Sequence, residues 1–428
     1  MHLRGIWPAL LLALPGAWAQ SAAEYEQPPL QYSATPASNA VSALQAPLAA
    51  GTWSPSGATE RDRLRAVLDA LEVPVESQVL VFSKTSLQRD LIGPRRPRAI
   101  YFSEDCYVGW VPGGLIEVAV TDPGLGVVFY RVDPRERAGL RIERDPDCLS
   151  CHGAALTRHW PGLIVHSVFP DATGEPLTAA GSFLIGHESP LAERWGGWYV
   201  TGQSGSLRHM GNVTARLQGR DAVMDRAAGA NLTDLSRFFP VADYLRPDSD
   251  IVALLVLEHQ TGMMNRLVTG ALRVRQWLTY QQNLQRERGE PVSAEPVGSA
   301  RRVVESEARR IVEYLLFGDE APLPPEGIRG GSAFPEAFRR HRRTDARGRS
   351  LKDFDLRTRL FTWRCSYMVY SQAFDALPPA LYAAVARGLG EVFGAAEPPP
   401  PFRHLAAEER AGIREILAAT KPELTRFW

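Results

Sequence analysis

The segment at residues 145–153 constrains this chain most, because it places two cysteines and a histidine in the pattern Cys-x-x-Cys-His. Cys148 and Cys151 are three residues apart, and His152 follows directly. A redox-active cysteine pair is expected in a βαβ unit, whereas a flanking proline and glycine indicate a loop here. A structural zinc site needs four nitrogen or sulfur ligands, and the four cysteines of the chain contain no second pair at this spacing.

The same pattern is typical of covalent c-type haem attachment. Each thiol can add to one vinyl group of a haem, which gives two thioether bonds. His152 then lies beneath the ring and offers an imidazole nitrogen to the iron as the proximal ligand. On these residues the chain resembles the c-type cytochromes, and the resemblance implies one covalent haem c bound by Cys148, Cys151 and His152.

The first 19 residues are typical of a secretory signal peptide. Arg4 supplies the positive start, residues 6–14 form an apolar run, and Ala17-Trp18-Ala19 fits a cleavage site. The apolar run is shorter than the about 20 residues that span a bilayer, and no later segment is long and apolar enough. We therefore expect a bacterial protein that is periplasmic or secreted, with no integral membrane segment after cleavage. Haem attachment in bacterial c-type cytochromes also takes place outside the cytoplasm.

The composition predicts a large α+β protein without a charge bias. Lysine plus arginine and aspartate plus glutamate number 48 each, so nothing points to nucleic acid as a partner. Residues 20–60 are rich in Ala, Ser, Pro and Gln and are predicted to be a flexible linker. We expect a β-rich haem-attachment region at 61–215 and a mainly helical region at 216–428.

Hydrophobic periodicity supports this division. A helix is predicted over 61–72, and strands are predicted at 79–82, 99–102, 116–120, 126–132, 163–169 and 177–185. Pro-Gly and Gly-Gly turns separate several of them, as in an antiparallel sheet. Helical patterns cover 250–288 (one long helix or two), 300–317, 373–393 with a break at Pro378-Pro379, and 406–419.

A segment rich in glycine and tryptophan, residues 193–212, is the second candidate for haem contact. Its glycines allow the backbone to approach a flat ring closely, and its aromatic rings can lie against one. Trp195 and Trp198 are therefore predicted to bind the cofactor. An aromatic, turn-rich corner of the core explains the same composition equally well.

The other axial ligand decides between functions, because a strong sixth ligand suits an electron carrier and an open face suits a catalyst or gas binder. His209 or Met210 is the predicted distal ligand, since both follow the glycine-rich segment in a loop. An iron without a second protein ligand stays open as an alternative. His166 is interpreted as a satisfied structural histidine on a strand. The further candidates are His159, His187, His259, Met263 and Met264.

Most of the mature chain also resembles a group of large, secreted, monohaem bacterial proteins similar to cytochromes. The segments that carry this resemblance are 107–110, 148–152, 195–202, 208–212, 259–260 and 353–367. The group's pattern places histidine before Asn265, where this chain has Met264. The resemblance implies haem binding without a particular reaction.

Electron transfer with a redox partner protein is the first functional expectation. The alternative is a haem oxidoreductase of peroxidase or oxygenase type that acts on a small-molecule substrate at an open distal face. In that case His209 and Arg208 are the predicted catalytic residues, handling protons and charge at bound peroxide or oxygen. A haem-based gas or redox sensor is a third possibility. Cys106 and Cys365 are equally compatible with a disulfide and with two free thiols.

Overall fold

The computed structural model describes residues 23–136 and 141–428, so the predicted signal peptide at 1–19 lies outside the described residues. In this part of the chain the α-helices are α1 (Ala40–Ala49), α2 (Glu60–Ala70), α3 (Leu149–His152), α4 (Arg226–Gly229), α5 (Ile251–Glu287), α6 (Gly298–Leu315), α7 (Phe334–Arg339), α8 (Gln372–Asp375), α9 (Pro379–Gly394), α10 (Ala407–Thr420) and α11 (Pro422–Thr425). The strands are β1 (Val79–Val81), β2 (Arg98–Phe102), β3 (Cys106–Trp110), β4 (Ile116–Asp122), β5 (Gly126–Val132), β6 (Ile142–Arg144), β7 (His166–Val168), β8 (Ser182–Leu184), β9 (Trp198–Tyr199), β10 (Arg216–Gln218) and β11 (Asp221–Val223).

Seven of the strands form one antiparallel sheet in the order β6-β5-β4-β3-β2-β1-β9. The other four form two separate two-stranded ribbons, β7 with β8 and β10 with β11. The sheet lies in the N-terminal half and the long helices lie in the C-terminal half, so the predicted α+β class is confirmed. At the β4–β5 turn, the Asp122 carboxylate accepts hydrogen bonds from the backbone N–H groups of Gly124 and Leu125, which is how an aspartate stabilises a tight turn.

Helix α5 joins the two halves of the molecule. Its side chains from Ile251 to Thr261 are all buried, so this part of the helix is surrounded by protein on every side. Gln260 donates from Nε2 to the hydroxyl of Tyr107 on β3, at 2.7 Å. The Asp250 side chain caps the helix by accepting from the backbone N–H of Val252. The helical pattern at 250–288 is therefore one helix, packed directly against the sheet.

The segment before α2 differs from the flexible linker that composition predicts for residues 20–60. Among its described residues, α1 begins at an Asn39 cap, and Tyr32 is buried with its hydroxyl bonded to the carbonyl of Val127. The Asn39 amide and the backbone N–H of Ser38 both donate to Asp122. These polar contacts hold the segment on the sheet. Because they join residues far apart in the sequence, local periodicity does not predict them.

The helices of the C-terminal half follow the predicted patterns closely. The break at Pro378-Pro379 separates α8 from α9, and Pro379 occupies the first turn of α9, where its missing N–H costs no helical hydrogen bond. No helix in the described ranges has both the length and the apolar character needed to cross a membrane. Cys106 and Cys365 are both buried free thiols.

Candidate haem site

A cavity of about 410 Å³ lies against one face of the seven-stranded sheet. Alternate residues of a strand share a face, and the register aligns Gly109 of β3 with Glu117 of β4. Tyr107 of β3 and Phe129 of β5 both pair with Ala119 of β4, two residues further along the same face. The floor of the cavity is therefore largely apolar and aromatic, and it suits a flat apolar ligand.

The two cysteines and the histidine of the central motif line this cavity together. A short 3-10 turn, Pro146–Cys148, is capped by Asp145 and leads into α3, so both thiols lie within about one helical turn of each other. Cys151 is exposed, Cys148 is half-buried, and both are free thiols. Burial raises the pKa of the Cys148 thiol to about 12. The two thiols therefore line the same cavity, and the Cys148 thiol is held in its protonated form.

The His152 imidazole is held by one ring nitrogen, which leaves the other nitrogen free. Its Nδ1 lies 2.8 Å from the carbonyl oxygen of Gly162. Because a carbonyl only accepts, Nδ1 carries the proton and Nε2 has the lone pair that a metal needs. Burial lowers the pKa of His152, which favours this neutral form. The ring also packs on Phe129, with ring centroids 4.7 Å apart.

The cavity floor carries one ion pair, between Arg98 of β2 and Glu117 of β4. Arg98 Nη2 lies 2.5 Å from Glu117 Oε2, and the two side chains are 21% and 19% exposed. The arginine reaches across the intervening strand β3 at Gly109, where an added Cβ would lie 2.2 Å from Nη2. Gly109 therefore leaves the space through which this pair forms. No local sequence pattern predicts that Arg98, Gly109 and Glu117 meet, because they lie on three different strands.

His166 lies at the start of β7 and also lines the cavity. Its backbone carbonyl accepts a hydrogen bond from Trp198 Nε1 at 2.8 Å, which fixes the strand against β9. Its Nε2 is buried and has no hydrogen-bond partner among the residues that the structure describes. Leaving such a group unsatisfied costs about 1–3 kcal/mol. The backbone of His166 therefore has a structural role, and its Nε2 makes no hydrogen bond within the described part of the chain.

Among the other predicted site residues, Trp198 lines the cavity, whereas Trp195, Arg208, His209 and Met210 do not. Trp195 and His209 are buried against each other with ring centroids 5.0 Å apart. His209 Nδ1 accepts from the backbone N–H of Gly211. The sulfur of Met210 lies 3.8 Å from the Ser167 hydroxyl, and Arg208 is exposed and donates to backbone carbonyls. The structure thus separates this loop from the motif.

The remaining buried ligand candidates make other contacts and do not line the cavity. His187 and His259 share a hydrogen bond between their Nδ1 atoms, at 2.8 Å, and both are buried away from the cavity. Met263 and Met264 are completely buried, and the sulfur of Met264 lies 3.6 Å from the Thr121 hydroxyl. Of the histidines and methionines in the described ranges, only His152 and His166 line the cavity.

A second cavity, of about 690 Å³, adjoins the first. The residues that line both are Leu156, Leu163, Val165 and Thr261. The second cavity is more polar. Its charged residues include two ion pairs, Arg266 with Glu188 and Arg310 with Glu307, together with Arg158, Glu313 and Asp319. A small polar molecule in this cavity would lie next to the motif cavity.

The donor set and the largely apolar lining of the first cavity fit a covalently attached haem. The two thiols lie at one edge, a neutral imidazole with a free Nε2 lies beside them, and the sheet offers an apolar floor. Comparisons of the chain with models of protein families, with curated proteins and with solved structures found no match.

Proposed function

We propose that this protein is an exported monohaem c-type cytochrome that transfers electrons. The observation that carries the proposal is that Cys148, Cys151 and His152 line one apolar cavity while Nε2 of His152 is left free. Two thiols and one imidazole in this arrangement are the attachment and ligand groups of a haem c. Export is proposed from residues 1–19.

When bound, the haem supplies an iron that alternates between the ferrous and ferric states. The residues of the chain orient the iron ligand and set its surroundings. The hydrogen bond from His152 to the Gly162 carbonyl holds the imidazole in one orientation and makes Nε2 more basic. Phe129 packs on the His152 ring and would keep water from the imidazole. The Arg98–Glu117 pair places both signs of charge at the cavity floor, where they would influence the reduction potential of a bound haem.

The exposure of the attachment edge favours electron exchange with a partner protein. Cys151 is exposed, and two apolar side chains at the cavity, Leu87 and Leu156, are 58% and 43% exposed. A ring held by Cys151 would present this edge near the protein surface. A redox partner that covers the two leucines would bring its own centre close to the haem.

A second candidate function, a haem oxidoreductase, is favoured by the adjoining polar cavity. That cavity gives a small molecule room beside the motif cavity, with Arg158 and Arg310 among its lining residues. His209 and Arg208 do not line either cavity. If the protein is an enzyme, residues of the two cavities are better candidates for its catalytic groups.

Expression in a bacterial host that matures c-type cytochromes tests the proposal. The protein should carry one haem by mass and give a pyridine haemochrome spectrum with two thioether bonds. Cys148→Ala and Cys151→Ala should each shift that spectrum to the single-thioether form, and the double variant should lose covalent haem. Cys106→Ala is the matched control, because Cys106 is a buried free thiol that does not line the cavity. A colourless protein of unmodified mass would contradict the proposal.

A further inference from the structure

We propose that the second cavity binds a small monocarboxylate with an apolar body, and that Arg158 and Arg310 hold its carboxylate group. The inference goes beyond electron transfer, since it assigns a ligand class to a cavity that contains neither thiol of the motif. It does not depend on a bound haem. The volume of about 690 Å³ lies within the range of about 300–1,000 Å³ that is typical of small-molecule sites.

One wall of this cavity is apolar and lies at the β7–β8 ribbon. Leu163 and Val165 precede β7, and the backbone N–H of Ile185, directly after β8, donates to the carbonyl of Val165. Asn265 of α5 fixes this wall, because its amide accepts from the N–H of Leu163 and donates to the Leu163 carbonyl, each at 2.7 Å. Leu184 also lines the cavity and is 47% exposed, so the cavity reaches solvent there. This preformed wall suits the apolar body of a ligand.

Three arginines line the same cavity and differ in how many of their donors are used. Arg266 is paired with Glu188, at 3.1 Å. Within the described ranges, the guanidinium of Arg310 donates through Nη1 alone, to Glu307, and the side chain of Arg158 makes no hydrogen bond or ion pair. An arginine presents five N–H donors in a planar fork that matches a carboxylate. Arg158 and the unused edge of Arg310 therefore remain available to a carboxylate ligand.

The surroundings of Arg158 carry more positive than negative charge. Partial burial lowers the pKa of Arg158, and three neighbouring guanidiniums lower it further. Glu307 acts in the opposite direction, but it is already paired with two arginines. Glu313 and Asp319 line the cavity as well, in the last turn of α6 and after it, and neither forms an ion pair with Arg158 or Arg310. An anion beside Arg158 would reduce the repulsion among the guanidiniums.

The backbone at Arg158 has a conformation that favours glycine. Arg158 and His159 have φ values of 58° and 64°, in the left-handed region. The turn is fixed by hydrogen bonds from the N–H of Arg158 to the Ala155 carbonyl and from the N–H of His159 to the Ala154 carbonyl. Strained residues of this kind cluster at ligand sites, and this turn places the side chain of Arg158 in the cavity wall.

Isothermal titration calorimetry of the purified protein with benzoate, benzamide and inorganic phosphate tests the inference without any signal from a haem. Benzoate should bind. Benzamide has nearly the same shape without the charge, and it should bind at least about tenfold more weakly, the expected loss for one charge-assisted hydrogen bond. Inorganic phosphate is an anion without an apolar body, and it should also bind at least about tenfold more weakly than benzoate.

Two substitutions of Arg158 separate the role of its guanidinium from the stability of the fold. Arg158→Gln should weaken benzoate binding at least about tenfold. Arg158→Gly should weaken it as much while the free energy of unfolding is unchanged or raised, because glycine suits a φ of 58°. Arg310→Gln should weaken benzoate binding as well. Arg309→Gln is the matched control, because Arg309 is exposed on the same helix and lines neither cavity.

The outcomes separate the carboxylate site from the haem function. No detectable benzoate binding, equal affinity for benzamide or phosphate, or equal effects of Arg158→Gln and Arg309→Gln would each overturn the carboxylate site. If Arg158→Gln fails to fold, Arg158→Gly decides, since unchanged benzoate affinity in that folded variant would refute the site. A colourless protein that binds benzoate as described would overturn the haem function and support the carboxylate site. A haem protein that does not bind benzoate would overturn only the carboxylate site.

Discussion

Replacing Gly109 by alanine should destabilise the protein through the side chain of Arg98, although alanine is normally the better residue in a strand. The new Cβ would lie 2.2 Å from Arg98 Nη2 and 2.6 Å from Cζ. A guanidinium at the end of a flexible side chain can move away, so the steric clash itself is relieved. The loss of stability comes from Glu117, which is left without its ion-pair partner at the cavity floor.

The magnitude follows from the burial of the pair. Exposed ion pairs contribute about 0–1 kcal/mol, and breaking a buried pair costs about 3–5 kcal/mol. The two side chains are 21% and 19% exposed, which places the loss between these limits, at about 2–3 kcal/mol. Alanine regains about 0.5–1 kcal/mol of backbone entropy relative to glycine. We expect a net loss of about 2 kcal/mol in the free energy of unfolding.

A double-mutant cycle isolates this mechanism. Urea unfolding of the protein, followed by far-ultraviolet circular dichroism, gives the free energy of unfolding for each variant. In an Arg98→Met background, Gly109→Ala should become neutral or stabilising, which corresponds to a coupling energy of about 2–3 kcal/mol. Equal costs of Gly109→Ala with and without Arg98 would refute the reasoning.

Three further predictions concern single residues. Burial raises the pKa of Asp105 from its ordinary 3.8 to about 6. The protonated carboxyl therefore contributes fully to the free energy of unfolding below about pH 3.8, and this contribution is lost as the pH rises through about 6. Asp105→Asn should remove up to about 3 kcal/mol of this pH dependence in urea unfolding at about pH 4 and about pH 7, and an unchanged profile would contradict it. Glu307 is 2% exposed and forms ion pairs with two arginines. Glu307→Gln should lower the free energy of unfolding by about 2 kcal/mol in chemical denaturation. An unchanged free energy of unfolding would show that the ion pairs do not stabilise the fold. Trp198→Phe removes the hydrogen bond to the His166 carbonyl and should lower the free energy of unfolding by about 1 kcal/mol in the same assay. A larger loss would indicate that the indole ring also stabilises the sheet by packing against it.

Much of the fold could be predicted from the sequence, because apolar periodicity and turn residues carry local information. The patterns at 116–120 and 126–132 correspond to β4 and β5, and the pattern at 300–317 corresponds to α6. Periodicity does not predict strand β3, although it predicts the neighbouring strands. All five residues of β3 are buried, so no alternation of polar and apolar residues marks it.

Some residues of the candidate site could also be predicted from the sequence, and others could not. Cys148, Cys151 and His152 are adjacent in sequence, so their spacing alone predicts that they act together. Arg98 and Glu117 come from two strands separated by a third, and only the register of the sheet brings them together. Within the sequence, Glu117 alternates with apolar residues and therefore has the pattern of a residue that faces solvent. The packing of His209 against Trp195 is equally a tertiary contact that no local pattern predicts.

The half-buried position of Cys148 has a consequence for the order of biogenesis. A thiol adds to a vinyl group or exchanges with a disulfide mainly as its thiolate, and in the folded chain the pKa of this thiol is about 12. Cys148 is therefore a poor nucleophile once its surroundings have closed. If haem is attached as proposed, the covalent link to this cysteine would have to form while the polypeptide is still open. The maturation apparatus would then act on a nascent or unfolded substrate, and the final fold would close around a linkage already made.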